Sequence, residues 1–362
     1  MQYAVIMAGG SGQRLWPLSR RNRPKQIIKL FEDQSLLWHC VDRVKGIFGP
    51  EQIVVVTNAD YADVVHRHLP DIPEENILGE PVGRETANAI GLAATVLNVR
   101  GPGNAMAVFS ADQLIDPVEP LQKAIKTSLH FIEGHPEALF TFGIKATWAN
   151  TGLGYLKRGE HAGDNDSAVF AVEAFKEKPN KNTAHKYIRS GQYCWNSGMF
   201  VWKVDTILKQ LELCLPHNAE RLRKIGEAWN TDRRERVLEE EFKELEKISI
   251  DFGVMEHAEH VFMCELECHW QDVGSYLTLA ENIGSMDPDE NVTTAGTQVA
   301  LVDSGNNIIL SEDPDHIIAA IHVDDLIIVH TADATLICRR EETGHLKDLL
   351  KRMEDEGKEK FL

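Results

Sequence analysis

The stretch MAGGSGQRLWPLSRRNRPKQ, Met7 to Gln26, follows a short apolar run, Tyr3 to Ile6. It carries Arg14, Arg20, Arg21, Arg23 and Lys25 and no acidic residue, in a 362-residue chain of formal net charge −18. A buried strand that runs into a glycine-rich loop is how ligand sites begin at the carboxyl edge of a parallel sheet. Gly9, Gly10 and Gly12 remove side chains, so backbone N–H groups approach an anion closely. Two glycine-loop templates fail here. The dinucleotide pattern begun at Gly10 needs glycine at position 15, where Leu15 stands, and the P-loop needs Gly-Lys-Ser/Thr where Gly12 is followed by Gln13-Arg14. What remains is a phosphate loop with its own cations, Arg14 and Lys25.

Outward from this loop, the first half alternates short apolar strands with helices. Gln52–Thr57, Ala105–Phe109 and Ala138–Ile144 read as buried strands. Leu36–Val44, Ala59–Leu69, Thr86–Val99 (with Thr86 as cap) and Pro117–Glu133 read as helices. That alternation implies an α/β fold, a doubly wound and mostly parallel Rossmann-like sheet. The middle is mixed, with strands at Gly154–Arg158, Val169–Glu177, Trp195–Val201 and Val261–His269. Helices follow at Asn182–Ser190, Val204–Leu213, Pro216–Trp229, Arg234–Lys247, Ser249–Ala258 and Ser275–Ile283. Composition shifts near Met286-Asp287-Pro288-Asp289, and short β-rich runs separated by turn residues follow to residue 340. Their spacing allows a short β-helix, and Gly344–Leu362 reads as a charged amphipathic helix. The expected division is a catalytic domain over 1–285 and a β-rich region with a terminal helix over 286–362.

At 43% hydrophobic content the chain is long enough for a large core. Its acidity argues against nucleic acid or a membrane surface as partner, since either needs a basic face. A small anionic ligand at one cationic loop is compatible with it. The start, Met1-Gln2-Tyr3, lacks the basic region of a signal peptide, and no apolar stretch reaches the length of a membrane span, so the expected location is cytoplasmic. The six cysteines form no C-x-x-C pair and sit mostly among apolar residues, as buried free thiols do. Cys264, Cys268 and His269 are close enough to raise a metal site, but a core strand is the preferred reading.

Seven motifs, in order, resemble those of nucleotide-sugar pyrophosphorylases in their mannose-1-phosphate guanylyltransferase form. They are AGGSGQRLWPLSRRNRPKQ at the front, EPVGRETANAI (Glu80–Ile90), SAD (Ser110–Asp112), EKP (Glu177–Pro179), WNSGMF (Trp195–Phe200), SIDFGVME (Ser249–Glu256) and WQDVGS (Trp270–Ser275). The likeness covers about residues 1–285, and the β-rich end resembles the family's C-terminal region. Longer bifunctional members carry a phosphomannose isomerase cupin domain beyond it, and the monofunctional form without that domain is the expected one here.

The resemblance implies that GTP and mannose 1-phosphate give GDP-mannose and pyrophosphate. The attacking sugar phosphate is already ionised, so catalysis rests on positioning and positive charge rather than on a Ser, Cys or His nucleophile. Arg14 is then expected on the β,γ-phosphates and Lys25 on the α-phosphate or the sugar phosphate, with Ala8, Gly9, Gly10, Ser11, Gly12 and Gln13 cradling the nucleotide. Arg20, Arg21 and Arg23 read as a solvated basic face. Asp112 and Asp272 match the family's metal positions and are expected to hold Mg²⁺. Gln113 stands where the family commonly has His.

Glu80 is the candidate for base selection, because a carboxylate accepts from both N1–H and the 2-amino group of guanine. A surface glutamate before a proline is the competing reading. Gly83, Thr86 and Ala87 complete that wall, and Arg84 either holds a phosphate or is exposed. The hexose is expected among Gly154, Tyr155, Glu177, Asn196, Ser197 and Gly198. Leu153 replaces a tyrosine usual in the family. Trp195 and Trp270 read as packing residues. Three alternatives stay open: a pyrophosphorylase for another sugar or base, a non-catalytic regulatory homologue, and a nicotinamide oxidoreductase, which Leu15 disfavours. A homodimer is expected from the β-rich end and the family's habit.

Overall fold

The computed structural model describes residues 1–10, 12–31, 34–163 and 168–362. Two compact units form, and each is discontinuous in sequence. The first comprises Met1–Gly9, Cys40–Ala111 and Ile115–Trp270; the second comprises Gly10–His39, Asp112–Leu114 and Gln271–Leu362.

The first unit is built on a nine-stranded sheet. Its strands are β1 (Gln2–Met7), β2 (Ile53–Asn58), β3 (Ile77–Glu80), β4 (Ala105–Ser110), β5 (Leu139–Lys145), β6 (Tyr155–His161), β7 (Val169–Lys176), β8 (Tyr193–Lys203) and β9 (Val261–Leu266). The order is β3-β2-β1-β4-β8-β5-β9-β7-β6. From β3 to β4 every pairing is parallel, with Ala4 opposite Ile53 and Ala107. Beyond β4 the sheet is mixed, because β8 runs antiparallel to both β4 and β5.

Strands such as β1 and β2 are continuous apolar runs because both of their faces are covered. Helix α1 (Thr86–Arg100) is buried from Ala87 to Leu97 and is apolar all round, as a helix inside a protein must be. Helices α2 (Val204–Cys214) and α3 (Pro216–Ala228) pack on it. A Cβ at Gly91 would stand 2.5 Å from a Leu222 methyl and 3.3 Å from one of Leu211, so only glycine admits this approach. Thr86 is the first helical residue rather than the cap. Its hydroxyl accepts from Ile250 N–H at 2.9 Å, so a tertiary partner has taken the oxygen a cap would have used.

In the second unit the β-rich end coils. Strands β10 (Val292–Thr294), β12 (Ile308–Ser311) and β14 (Leu326–His330) stack in parallel, as do β11 (Gln298–Val302) and β13 (Ile317–Ile321). Strand β15 (Thr335–Arg339) closes the stack antiparallel to β14. Two buried asparagines carry the chain round one corner. Asn291 donates to Ser304 O at 2.8 Å, and Asn307 donates to Asn291 Oδ1 and Val323 O, both at 2.9 Å. Two of these bonds satisfy the backbone carbonyls of Ser304 and Val323, which lie outside the strands.

The opening segment belongs to this unit. Leu15, Trp16, Leu18, Ile28 and Leu36 share one core with Val273, Tyr276, Ile308, Ile327 and Leu346. The terminal amphipathic segment is one helix, α4 (Leu346–Asp355), flanked by short 3-10 turns. Among the described residues no helix is long and apolar enough to cross a membrane.

Candidate active site

In the second unit the glycine loop is shaped by its own side chains. Gly12 has φ +61°, and a Cβ there would lie 2.6 Å from Lys25 Cβ, so the position demands glycine on both counts. Ser19 Oγ and Leu15 N–H both donate to Gly12 O, at 2.7 and 2.8 Å. With its stem against Gly12, Lys25 sends its ammonium to Asp112 Oδ2 at 2.6 Å and to Val273 O at 3.4 Å. Val273 N–H donates to Asp112 O at 2.9 Å, which ties the chain after Asp272 to Asp112. The Cα of Gly274 faces the same place: a Cβ there would meet Asp272 Oδ1 at 3.7 Å and the Arg14 guanidinium at 3.7 and 3.8 Å. Arg14, Lys25, Asp112 and Asp272 therefore converge, although they come from three separate stretches of chain. Ser11 lies outside the described residues, and Gln13 is exposed.

Arg20, Arg21 and Arg23 are each ion-paired, with Arg21 and Arg23 still open to solvent and Arg20 largely covered. Arg20 pairs with Asp333 at 2.7 Å, Arg21 with Glu354 at 2.7 Å and Arg23 with Glu312 at 2.6 Å. Their partners lie some 290 to 330 residues further on, and no local pattern reveals them.

In the first unit Glu80 ends β3, 6% exposed, beside Gly9, whose Cβ position is 3.4 Å from Glu80 Oε2. Burial pushes its carboxyl up from 4.5 to about 8. Ala8 and Ala87 are buried, and the Cβ position of Gly83 is open space. Arg84 donates to Lys243 O, a backbone anchor rather than a free cation.

A second polar cluster of this unit gathers the residues expected around the hexose. Glu177 has a side chain only 6% exposed and pairs with Lys178 at 2.9 Å. A Cβ at Gly154 would fall inside contact distance of Glu177 Oε2, so this glycine makes room for the carboxylate. Asn196 is held at both ends of its amide. Thr141 Oγ1 donates to its Oδ1 at 2.9 Å, and its Nδ2 donates to Asp251 Oδ1 at 2.9 Å. Burial, and then the charge of Glu177, push Asp251 up from 3.8 to about 7, against the opposing pull of Lys178 and Asn196. Ser197 is buried and accepts from Met199 N–H at 3.2 Å, and Gly198 has φ +69°. Tyr155 is fully buried, its hydroxyl donating to Asn150 O and accepting from Asn150 N–H.

Lys178, Asp251 and Glu256, which accepts from Glu177 N–H at 2.9 Å, were missed as site candidates. The signal was present: an Asp and a Glu in the otherwise apolar SIDFGVME, and a lysine inside EKP. Trp195 is buried and meets Trp148 edge-on at 5.9 Å, as a packing residue does. Cys264, Cys268 and His269 do not converge as a ligand set among the described residues.

The chain is similar to known proteins over nearly its whole length. The family described as Nucleotidyl transferase matches residues 3–285, and that described as MannoseP isomerase/GMP-like beta-helix domain matches 297–353. Mannose-1-phosphate guanylyltransferase RfbM of Salmonella typhimurium is 37% identical over 96% of this chain and 72% of its own length. The mannose-1-phosphate guanylyltransferase of Escherichia coli K12 is 35% identical over 98% of this chain and 74% of its own. The crystal structure of mannose-1-phosphate geranyltransferase from Thermus thermophilus superposes with a TM-score of 0.84 at 31% identity, covering 98% of this chain and 99% of that one. Likeness of this degree, over nearly the whole length, shows that the chain belongs to the mannose-1-phosphate guanylyltransferase family of nucleotidyl transferases.

Proposed function

We propose that the protein transfers GMP from GTP to α-D-mannose 1-phosphate, releasing pyrophosphate. The observation that carries this reading is the convergence of Lys25 and Arg14 with Asp112 and Asp272 behind a glycine loop. A phosphate oxygen of the sugar phosphate attacks the α-phosphorus of GTP, and the P–O bond to the leaving pyrophosphate breaks in line. The nucleophile arrives ionised, so the work of the side chains is to hold two polyanions together and to neutralise charge. Arg14 serves the β,γ-phosphates. Lys25 exchanges Asp112 for the α-phosphate or the sugar phosphate.

Two carboxylates are hard oxygen donors of the kind Mg²⁺ takes, and Asp112 and Asp272 would hold it. When bound, that ion supplies positive charge against the phosphates. Glu80 takes guanine through N1–H and the 2-amino group. Glu177 and the Asp251-braced amide of Asn196 take hexose hydroxyls, with Gly154, Tyr155, Ser197 and Gly198 forming the wall. The protein acts in the cytoplasm as a homodimer, and light scattering that shows only monomer rejects the dimer.

The deciding experiment measures pyrophosphate release with Mg²⁺ for mannose 1-phosphate and glucose 1-phosphate, each with GTP, ATP, UTP and dTTP. Turnover fastest with GTP and mannose 1-phosphate is the expected result. Faster turnover of another pair overturns the substrate assignment, and none with any pair overturns the enzyme.

A further inference from the structure

The coil of the second unit places three metal-ligating side chains together, none of them among the residues assigned to Mg²⁺. The chain leaving β12 makes a tight turn. Asp313 N–H donates to Ser311 Oγ at 3.1 Å, Asp315 N–H donates to Asp313 Oδ1 at 2.9 Å, and His316 N–H donates to Asp313 O at 3.3 Å. That turn delivers His316 to the start of β13. On the neighbouring rung His330 ends β14, directly opposite Ser311. The two imidazoles stack, with centroids 3.8 Å apart and planes 14° from parallel. One donor atom each from Asp313, His316 and His330 lies within 4.8 Å of the other two.

A hydrogen bond holds one ring nitrogen of His330. Its Nδ1 is 3.0 Å from Thr335 Oγ1, and Thr335 faces His330 across the β14–β15 pair. In the tautomer whose Nδ1–H donates to that hydroxyl, the Nε2 lone pair is left for a ligand. A second hydrogen bond on the far ring nitrogen is the usual support of a metal-binding histidine. Asp313 spends Oδ1 on the turn, which leaves Oδ2. All three side chains reach solvent, so a small ion has access and water is at hand for its remaining positions.

We propose that Asp313, His316 and His330 form a binding site for a divalent transition-metal ion of the zinc class. Two imidazoles and a carboxylate suit Zn²⁺, Co²⁺ or Ni²⁺, whereas Mg²⁺ prefers an all-oxygen shell. The site is therefore chemically distinct from the carboxylate pair Asp112 and Asp272. Binding asks the stacked rings to rotate until both Nε2 lone pairs meet one centre, and their exposure permits that rotation. The ion would cross-link the loop after β12, the start of β13 and the end of β14. Glu312, next to Asp313, holds Arg23 of the opening segment at 2.6 Å, so the cross-link stiffens the turn that anchors this arginine.

The test is a titration of chelator-treated full-length protein with Zn²⁺ alone, and with Co²⁺ for its visible spectrum, in Mg²⁺-free buffer at pH 7.5. Wild type is compared with His316→Gln, His330→Gln and Asp272→Asn. Expected are one equivalent per chain at micromolar concentration, a rise in melting temperature with Zn²⁺, and a Co²⁺ d–d band. Each histidine variant loses at least tenfold in affinity and loses the band, while Asp272→Asn keeps both. The two histidines are at the surface, and the metal-free melting temperature of each variant checks that it is folded. Undiminished binding in the histidine variants overturns the proposal, as does loss of binding in Asp272→Asn or binding only at millimolar concentration.

Discussion

Lys25 Nζ lies 2.6 Å from Asp112 Oδ2, with the two side chains only 11% and 24% exposed. Each charge therefore depends on the other until a substrate phosphate or a cation replaces its partner. Lys25→Met keeps the stem packed against Gly12 and removes the charge. Its kcat/KM for pyrophosphate release is expected to fall at least a hundredfold, about 3 kcal/mol of transition-state stabilisation. Folding stability drops by about 1–3 kcal/mol, because Asp112 loses this cation. A wild-type kcat in a folded Lys25→Met removes this lysine from the chemistry.

Glu80 makes both stability and nucleotide uptake depend on pH. Its carboxyl is held up to about 8 against an ordinary 4.5. Between those values the unfolded chain has lost this proton and the folded chain has kept it. The stability it contributes is thus complete below about 4.5 and is lost as pH rises toward 8. Glu80→Gln abolishes that slope, so the variant melts near wild type at pH 5 and above it at pH 8. Guanine, which donates twice, pulls the group into its carboxylate form. GTP binding near pH 7 should then release up to one proton, seen as calorimetric heat that varies with the buffer's ionisation enthalpy. No buffer dependence, together with unchanged preference for GTP over ATP in Glu80→Gln, takes Glu80 out of base recognition.

Gly154 is needed for space rather than for backbone freedom, since a methyl there would collide with Glu177 Oε2. Gly154→Ala pushes the carboxylate aside. The KM for mannose 1-phosphate is expected to rise about tenfold or more, while the KM for GTP stays within about twofold, since one lost hydrogen bond is worth about 1.4 kcal/mol. Steady-state kinetics with each substrate varied in turn decides it, and equal effects on both constants count against a hexose role for Glu177.

Arg20 and Arg23 should differ in consequence although both are paired. Arg20 is 11% exposed, bonded to Asp333 and Thr331, and lies 5.3 Å from the ring of Trp16. Arg20→Ala is expected to cost about 1–2 kcal/mol in urea unfolding. Arg23→Ala breaks a more exposed pair and stays within about 0.5 kcal/mol. Equal losses in the two variants contradict this assignment of roles.

Much of the site was legible because its signals are local. Glycine spacing, a cation after a proline and an aspartate at a strand end each follow from neighbours in sequence. Asp251 stands out as an acid within SIDFGVME, but its role is to brace Asn196, 55 residues away, and that pairing is visible only in the fold. The acidic partners of the three arginines of the opening segment were hidden for the same reason, since they lie in the coil and in α4. The Thr86 hydroxyl, likewise, went to Ile250 rather than to its own helix end.

Apolar runs and their period were enough to establish the strands, the buried α1 and the β-rich end, because burial on one face or two leaves a mark on adjacent residues. The seven ordered motifs were enough for the family. Folding was needed to bring Arg14, Lys25, Asp112 and Asp272 into one cluster, to place residues 10–39 in the same unit as the coil, and to set His316 against His330. Those relationships join residues more than 300 positions apart. Long-range packing and the exclusion of water create them, and such forces write no periodic signal into the chain.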